Sequence, residues 1–539
     1  MFATNTTLMR KRKVVEQLKA SFGQVKREGF QFDLIERYFL NKENSDSFQV
    51  LSDKTCHDID FEELFMFLDR TSSKVGQQYL YNHLRVIPNA LVSIDQKEHL
   101  VERLTTDIDL RIKTQLLLKK LDKGDAYYIA SLFQEEHQKP PRWFFLVYLL
   151  SAAGLLSLLM LPLYPQLFLV FIGVMLLNMG IHYWNKKNLY RYVGSIPQLL
   201  QLNSIAQHLF KEELFQPIDP ELPIAIRMIN QVRNRMSFFR LEARIQGDAE
   251  AVLWGILELL KITFLLEPLL LFGVLKRLDS KRKEIERVFR FVGEVDLLIS
   301  IASLRKGVAM YCLPEIGDSE FSAKKVYHPL IPNCVPNSIA VSDKSVLLTG
   351  SNMSGKTTFI RAIGINVITG LTINTCFAEA ISIPRLRIHS AIRISDDLMN
   401  DKSYYFEEVL TIKEMIDSSS LGSPCLFLLD ELFKGTNTIE RISAGKAVLS
   451  KLSKNGNRVF VSTHDLELTE MLTDEYDLYH FSEVVIDRKV DFDYRLKKGK
   501  LTSRNAIRIL QVNDYPSDLI DEAMDISKKM DDNALVKTL

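Results

Sequence analysis

Val346-Leu-Leu-Thr-Gly-Ser-Asn-Met-Ser-Gly-Lys-Thr-Thr358 is the stretch from which this chain is read. A short apolar run ending at Thr349 has the character of a buried strand. Gly350, four residues and then Gly355-Lys356-Thr357 fit the phosphate-loop spacing G-x4-G-K-S/T, and Phe359-Ile-Arg-Ala-Ile-Gly364 continues as a helix. The glycines allow backbone N–H groups to turn inward around a phosphate, and the helix N-terminus adds positive partial charge. Gly350, Ser351, Asn352, Met353, Ser354, Gly355, Lys356, Thr357 and Thr358 are therefore the candidate nucleotide-binding residues. Lys356 would reach the β- and γ-phosphates, and the Thr357 hydroxyl would sit on Mg²⁺. The plainer alternative is an ordinary glycine turn, which the strand before and the helix after disfavour.

Three downstream stretches supply what such a loop needs. Pro424-Cys-Leu-Phe-Leu-Leu-Asp430-Glu431 is an apolar strand ending in two carboxylates, about 75 residues after the loop. An acid at this strand end holds Mg²⁺ in phosphate-loop ATPases, which is the role expected of Asp430. Glu431 would polarise the attacking water as a general base. Arg458-Val-Phe-Val-Ser-Thr463 is a further strand delivering His464 and Asp465, and a histidine there can sense or stabilise a transferring phosphoryl group. Ser403-Tyr-Tyr-Phe-Glu-Glu408 opens a helix. Ser403 with Glu407 or Glu408 forms an N-cap region, or else a helix N-terminus that a partner subunit would offer to a γ-phosphate.

The rest of the chain is of three textures. At 539 residues it is too long for one core, and its formal net charge of +1 advertises no global nucleic-acid surface. The five cysteines, Cys56, Cys312, Cys334, Cys376 and Cys425, are scattered without a CxxC pair, which argues against zinc or a disulfide framework. No signal-peptide pattern follows the basic run Arg10-Lys-Arg-Lys13. Residues up to about Gln134 are helical and of mixed polarity. Trp143 to Leu163 then carries no charge and is as long as a bilayer-spanning helix, roughly 20 residues. Tyr164-Pro165-Gln166 turns the chain, and Leu167 to Trp184 is a second uncharged run. Lys139, Arg142, Lys186, Lys187 and Arg191 flank the pair, and Trp143, Tyr183 and Trp184 occupy interfacial positions. This pattern is a membrane hairpin with both ends cytoplasmic; the alternative is a hairpin buried in a soluble core. A third apolar run, Ile262 to Leu275, contains Glu267 and Pro268 and is expected to be a buried core helix. The basic residues after it, Lys276, Arg277 and Lys281-Arg-Lys283, are expected on the solvated face of a long helix that runs through Glu284 to Arg305, the alternative being a patch that touches DNA phosphates or anionic lipid. From about Tyr327 to Leu510 strands and helices alternate, and Pro516 to Met530 is one more helix.

Taken together these blocks resemble the MutS family, the ABC-type ATPases of DNA mismatch repair. Gly350 to Thr358 resembles its G-P-N-M-x-G-K-S/T-T loop, with Ser351 in place of proline. Asp430-Glu-Leu-Phe-Lys-Gly-Thr-Asn-Thr438 and Ser462-Thr-His-Asp-Leu-Glu-Leu-Thr469 resemble its acidic and switch-histidine segments. Ser395-Asp-Asp-Leu398 with Ser403 to Glu408 resembles the signature block presented in trans to the other subunit's ATP. Tyr327-His-Pro-Leu330 resembles the R-H-P segment, with tyrosine for arginine. More weakly, Leu68-Asp-Arg-Thr71 with Gly76 and Leu80 resembles the start of the family's helical core, and Glu294 to Arg305 the helix returning from its lever. Only about 55 residues precede that core motif, too few for the mismatch-reading and connector domains, and no counterpart of the Phe-x-Glu wedge is found.

The resemblance implies a homodimer with two composite sites that bind ATP and Mg²⁺. Each would take Lys356, Thr357, Asp430, Glu431 and His464 from one chain, and Ser403 and Glu408 from the other. It implies DNA as the ligand, a branched or distorted form rather than a mismatch, and the hairpin adds a cytoplasmic membrane with the ATPase domain on its cytoplasmic face. The expected fold is an α-helical core and lever with a transmembrane hairpin, followed by an α/β phosphate-loop ATPase domain. Its expected divisions are a helical region at 1–140 (core-like from about 55), the hairpin at 141–187, a helical continuation at 188–315, the ATPase at 316–510 and a helix for dimerisation at 511–539. Two rival readings are a membrane scaffold or signalling ATPase without a DNA role, and a half-transporter of the ABC type.

Overall fold

The apolar runs around the motifs become neighbouring strands. In a computed structural model, Ser345–Thr349, Arg458–Ser462 and Cys425–Asp430 lie side by side and parallel, buried along almost their whole length. The structure describes residues 2–89, 94–233, 236, 251–317, 320–341, 343–351, 353–393, 404–420, 422–486, 489–501, 507, 510 and 515–537. Continuous burial marks a sheet covered on both faces, hence runs of apolar residues rather than alternation. The sheet has six strands in the order Lys497–Lys498, Tyr476–His480, Ser345–Thr349, Arg458–Ser462, Cys425–Asp430, Arg387–Ala391, and only the first of these is antiparallel. Phe427 and Leu429 pack with Ile412, Met415, Leu449 and Leu452 of helices Tyr404–Ser418 and Thr438–Leu452. Leu428 points the other way, toward helix Lys356–Ile373, where a Cβ on Gly364 would lie 2.6 Å from its Cδ1. A four-stranded sheet of Glu315–Gly317, Ala380–Pro384, Phe321–Val326 and Asn337–Val341 stands in the same unit.

That unit comprises residues 46–67, 86–91 and 308–539, so part of the N-terminal region expected at 1–140 belongs to it. The reason is visible at one sheet edge. The Gln49 amide donates to Ile388 O and accepts from Ile388 N–H, at 2.7 and 2.8 Å, and so closes an otherwise open edge strand. Asp58, fully buried, accepts from Ser390 Oγ, Ile392 N–H and Arg393 N–H just past that strand's end. Asp60 pairs with Arg361 of the Lys356–Ile373 helix at 3.0 Å.

The other unit, residues 1–45, 68–85 and 92–307, is helical. Its axis is Arg282–Gly307, buried along most of its length, with Lys74–Arg85, Ile94–Thr106, Ser195–Leu209 and Leu222–Asn230 packed around it. The Leu68-Asp-Arg-Thr71 stretch has a local job here. Asp69 accepts from Thr71 N–H and Oγ, from Gln77 Nε2 and from Lys26 Nζ, and so ties a turn to the helix it precedes. Asp296 accepts from Ser72 N–H, Ser73 N–H and Ser73 Oγ. A Cβ on Gly76 would fall 2.2 Å from Asp296 Oδ2, so only glycine permits that approach. The order anticipated from the sequence, a helical region and then an α/β region with sheets, is the order found.

Among the described residues of the helical unit two helices are long and apolar enough to cross a membrane, Arg142–Met160 and Leu167–Asn185. Leu149, Leu159, Leu169 and Leu177 along them are each 60% or more exposed. Trp143 and Trp184 meet at one end of the pair, with ring centroids 4.8 Å apart. The third apolar run is not one helix. Ala251–Phe264 and Leu266–Asp279 meet at Leu265, whose φ is 47°. Pro268 lacks the N–H that Phe264 O would accept and crowds that carbonyl, which breaks the helix there. Its expected burial is observed on the inner side, at Glu267, Pro268, Leu271, Phe272, Val274 and Leu275.

Gly76→Ala is expected to destabilise the helical unit by about 1–3 kcal/mol through overpacking against Asp296. Thermal unfolding of the purified chain would measure it, with Gly255→Ala, where no atom of the described residues lies within 4 Å of the new Cβ, as the control without overpacking.

Candidate functional site

The C-terminal ends of the three central strands carry the sequence-identified residues to one place. Ser462 pairs with Asp430 on one side and with Leu348 on the other, so the strands finish level. Ligands in open α/β sheets bind outside such strand ends. After Thr349 the backbone takes positive φ at Gly350 (144°), Met353 (71°) and Gly355 (106°), which wraps the turn around the start of helix Lys356–Ile373. A Cβ on Gly350 would meet Phe481 O at 2.6 Å, so that glycine is required by space as well as by torsion. Asn352 lies outside the described residues, as do Ser403 and the Ser395–Leu398 block.

Lys356 is buried and folds back over its own loop, donating to Gly350 O at 2.8 Å and Ser351 O at 2.9 Å. Burial pushes its ammonium below the usual lysine range, while Glu431 and Asp430 pull the other way. Thr357 Oγ1 donates to Asp430 Oδ2 at 2.7 Å, and the Ser462 hydroxyl donates to Oδ1 of the same carboxylate. Hydroxyl and carboxylate oxygens side by side are the hard donors a magnesium ion takes. The buried Ser354 hydroxyl has no hydrogen-bond partner among the described residues, and it lies inside the loop. A loop with an unspent donor, a lysine satisfied only by movable contacts and an oxygen pair beside it fits a phosphate chain with its metal. Thr358 is half-buried on the first turn of the helix, and Met353 is 82% exposed at the loop tip.

Glu431 leaves its strand with φ at 53°, after its N–H has bonded to Ser462 O at 3.0 Å. Its Oε1 lies 2.9 Å from His464 Nε2 and its Oε2 3.1 Å from Lys434 Nζ. The hydrogen bond from His464 chiefly, with the Lys434 charge, holds this carboxyl down at about 2 against the opposing effect of burial. His464 Nε2 is also 3.4 Å from Lys356 Nζ, so loop, base and histidine form one contact chain. Asp465, next along, is clamped by Arg441 at 2.9 and 2.6 Å. Glu408 does not join the cluster; fully buried, it accepts from Phe433 N–H in its own chain, and burial raises its carboxyl.

Four contacts were not anticipated. Lys434 and Ser462 lie inside quoted motifs yet carry contacts that no motif position announced. Ser351, where the family pattern has proline, donates to the buried Glu483 at 2.8 Å. The Tyr494 ring lies 3.4 Å from where a Gly355 Cβ would be, which sets an aromatic face beside the loop. Glu483 and Tyr494 come from a segment without any motif.

Residues 346–531 match the family described as MutS domain V. Over these residues the chain carries a MutS-type domain. Among curated relatives, the DNA mismatch repair protein MutS of Oceanobacillus iheyensis is 28% identical over 268 residues, 46% of this chain and 30% of that protein. That of Aquifex pyrophilus is 29% identical over 265 residues, and that of Bacillus subtilis 28% over 261, with the same shares covered. The match thus spans about a third of each relative's length. The contact chain from Lys356 through His464 to Glu431 lies inside the residues matched to MutS domain V.

The low carboxyl of Glu431 gives a signed expectation. Its folded value lies below its unfolded one, so its stabilisation is present above the ordinary carboxylate range and is lost as pH falls toward about 2. Removing His464 and Lys434 together by alanine should move the loss upward into the ordinary range near pH 4. Carboxyl titration of Glu431 by NMR, with Glu431→Gln to assign it, reads the shift.

Proposed function

We propose that this chain is an ATPase of the MutS type, anchored in a membrane by its apolar hairpin and working as a dimer that couples ATP binding and hydrolysis to DNA binding. The observation that carries the ATPase reading is the 2.7 Å pairing of Thr357 with Asp430, beside Lys356 and the Glu431–His464 pair, at level strand ends. Mg²⁺, held by Thr357 and Asp430, would neutralise charge on the β- and γ-phosphates. Lys356 would exchange two carbonyls for phosphate oxygens, a trade that its flexible stem allows. Glu431 is ionised at neutral pH and can take a proton from water once His464 and Lys434 turn toward the phosphate. Glu408 serves this scheme within its own chain, by fixing the backbone after Glu431. The in-trans contribution expected from Ser403 rests on the motif.

DNA enters from the printed names of the relatives, which are DNA mismatch repair proteins matched over about 30% of their length. Mismatch reading is not part of the proposal. The membrane reading is supported by the outward leucines of two long helices and by the Trp143–Trp184 pair at one end, with basic flanks that favour a cytoplasmic ATPase. One observation favours a second reading, a membrane scaffold or signalling ATPase without DNA: the net charge of +1 offers no general basic surface. Nothing in the helical unit favours a half-transporter, since among the described residues two helices qualify as spans.

Lys356→Ala is expected to abolish nucleotide binding and hydrolysis, and a variant that hydrolysed ATP normally would sink the site assignment. Glu431→Gln should keep binding while hydrolysis falls by about 10²–10⁴. Binding of the solubilised protein to duplex, mismatched and branched DNA should weaken steeply with salt. No binding to any of them at low salt selects the scaffold reading. Flotation with liposomes that survives carbonate washing, lost on deleting residues 141–187, tests the anchor.

A further inference from the structure

The end of the apolar hairpin where Trp143 meets Trp184 gathers cations from two distant stretches of the chain. One stretch is the approach to the hairpin, with Lys139 and Arg142. The other is the end of helix Leu266–Asp279 and the turn after it, with Lys276, Arg277 and Lys281. Two contacts bring the stretches together. The Phe272 ring packs edge-on against Phe144, with centroids 4.9 Å apart. Further from the hairpin, Asp279 Oδ1 lies 2.9 Å from His137 Nδ1. Lys276 and Arg277 fall between those contacts on one stretch, and Lys139 and Arg142 fall between them on the other. All four are exposed, while Leu275 and Leu278 beside the first pair are buried.

These cations are unspent. Among the described residues, none of Lys139, Arg142, Lys276, Arg277 and Lys281 has an ion pair or a side-chain hydrogen bond. Elsewhere in the same unit exposed cations are matched: Lys97 with Glu294, Lys113 with Glu212, and Arg287 with Asp219 and Glu221. Of the acids in 135–142 and 276–283, Asp279 is held by His137 and by Arg282 at 2.6 Å, which leaves only Glu135 and Glu136. Unpaired like charges repel one another, and an anionic surface relieves that repulsion. Depth selects the anion. Tryptophans favour the boundary between hydrocarbon and headgroups. Phe144, next to Trp143, fixes Phe272 at that level. From there the helical rise carries Lys276 about 6 Å and Arg277 about 7.5 Å further out. The headgroup layer on each side of a bilayer is about 5–8 Å thick. Both cations therefore stand at the depth of lipid phosphates, and a DNA duplex would have to enter that layer to meet them.

We propose that Lys139, Arg142, Lys276, Arg277 and Lys281 form a binding surface for anionic lipid headgroups, so that hydrocarbon holds the hairpin and phosphate holds the helix after the Leu265 break. The inference rests on the membrane reading above and adds a lipid class to it. The arginines offer forked donors to phosphate oxygens, and the lysines offer point charges. Each such cation near an anionic leaflet strengthens attachment by about fivefold.

The test uses the full chain in nanodiscs of phosphatidylcholine mixed with phosphatidylglycerol, each lipid brominated in turn. Of the three tryptophans, Trp254→Phe removes one and leaves Trp143 and Trp184, whose quenching reads the lipids beside this surface. Phosphatidylglycerol should be preferred at least about fivefold at about 0.01 M salt, and the preference should vanish at about 1 M. Lys276→Gln with Arg277→Gln should lower it by at least about fivefold, while quenching in phosphatidylcholine alone stays the same and shows the hairpin still embedded. Lys451→Gln with Lys454→Gln, an equal charge change on two exposed lysines of the other unit, should leave it unchanged. Equal affinity for the two lipids in the embedded chain would overturn the proposal. So would a preference indifferent to salt, or the same loss in the Lys451 and Lys454 variant. Loss of duplex binding in place of the lipid preference, in the Lys276 and Arg277 variant, would assign the patch to DNA and overturn it too. A chain quenched by neither lipid is not embedded, which sinks the membrane reading itself; an embedded chain without a preference sinks this inference alone.

Discussion

The arrangement of this site depends on one register. Parallel pairing sets Ser462 against both Asp430 and Leu348, so three strands end at the same height and their next residues meet. A slip of one residue on the central strand would invert every side chain of a fully buried run, which the two-sided core does not permit. The core therefore fixes the chemistry. Phe427 and Leu429 on one face and Leu428 on the other lock the strand, and the strand delivers Asp430 to Thr357 and Glu431 to His464.

The same register explains why two bulky residues tolerate left-handed backbone. Glu431 and Phe433, at φ of 53° and 57°, each carry a cost of about 1–2 kcal/mol for a conformation that favours glycine. Two hydrogen bonds oppose that cost, from Glu431 N–H to Ser462 O and from Phe433 N–H to the buried Glu408. The turn they hold points the Glu431 carboxylate at His464 rather than along the strand. In that arrangement the carboxylate is a weak base, because its charge is spent on His464 and Lys434. Whatever draws those two cations away raises its basicity, and an incoming phosphate chain is an anion of the right kind to do so.

What the sequence disclosed follows the distance over which each constraint acts. Gly350, Gly355, Lys356 and Thr357 form one local turn and its helix, and their spacing is itself the geometry. Asp430 and His464 were legible because strands ending in polar residues have few places to go in an α/β sheet. Glu483 and Tyr494 were not, since each reaches the loop from a segment whose own pattern says nothing of its destination. The N-terminal strip around Gln49 and Asp58 was missed for the same reason. Its role is to satisfy the edge and the end of a strand more than 330 residues away, as the separations of 339 and 332 residues in those contacts show. Backbone groups at a sheet edge require partners, and nothing local announces which part of the chain will supply them.

The broken helix shows where hydropathy reading runs out. The runs at Trp143–Leu163 and Leu167–Trp184 are uncharged, yet they contain Ser151 and Asn178, polar residues to which hydropathy alone assigns no use. The break at Leu265 gives them one. Pro268 frees the Phe264 carbonyl, which Ser151 Oγ bonds at 2.9 Å, and Asn178 bonds the carbonyl of Thr263. Gly154 leaves room for this approach, since its Cβ would stand 3.0 Å from Thr263 O. Irregular backbone away from water persists only where side chains satisfy it. The hairpin and the broken helix therefore fold as one bundle. Each supplies what the other lacks, and the 85 residues between Asn178 and Thr263 put that dependence beyond any local pattern.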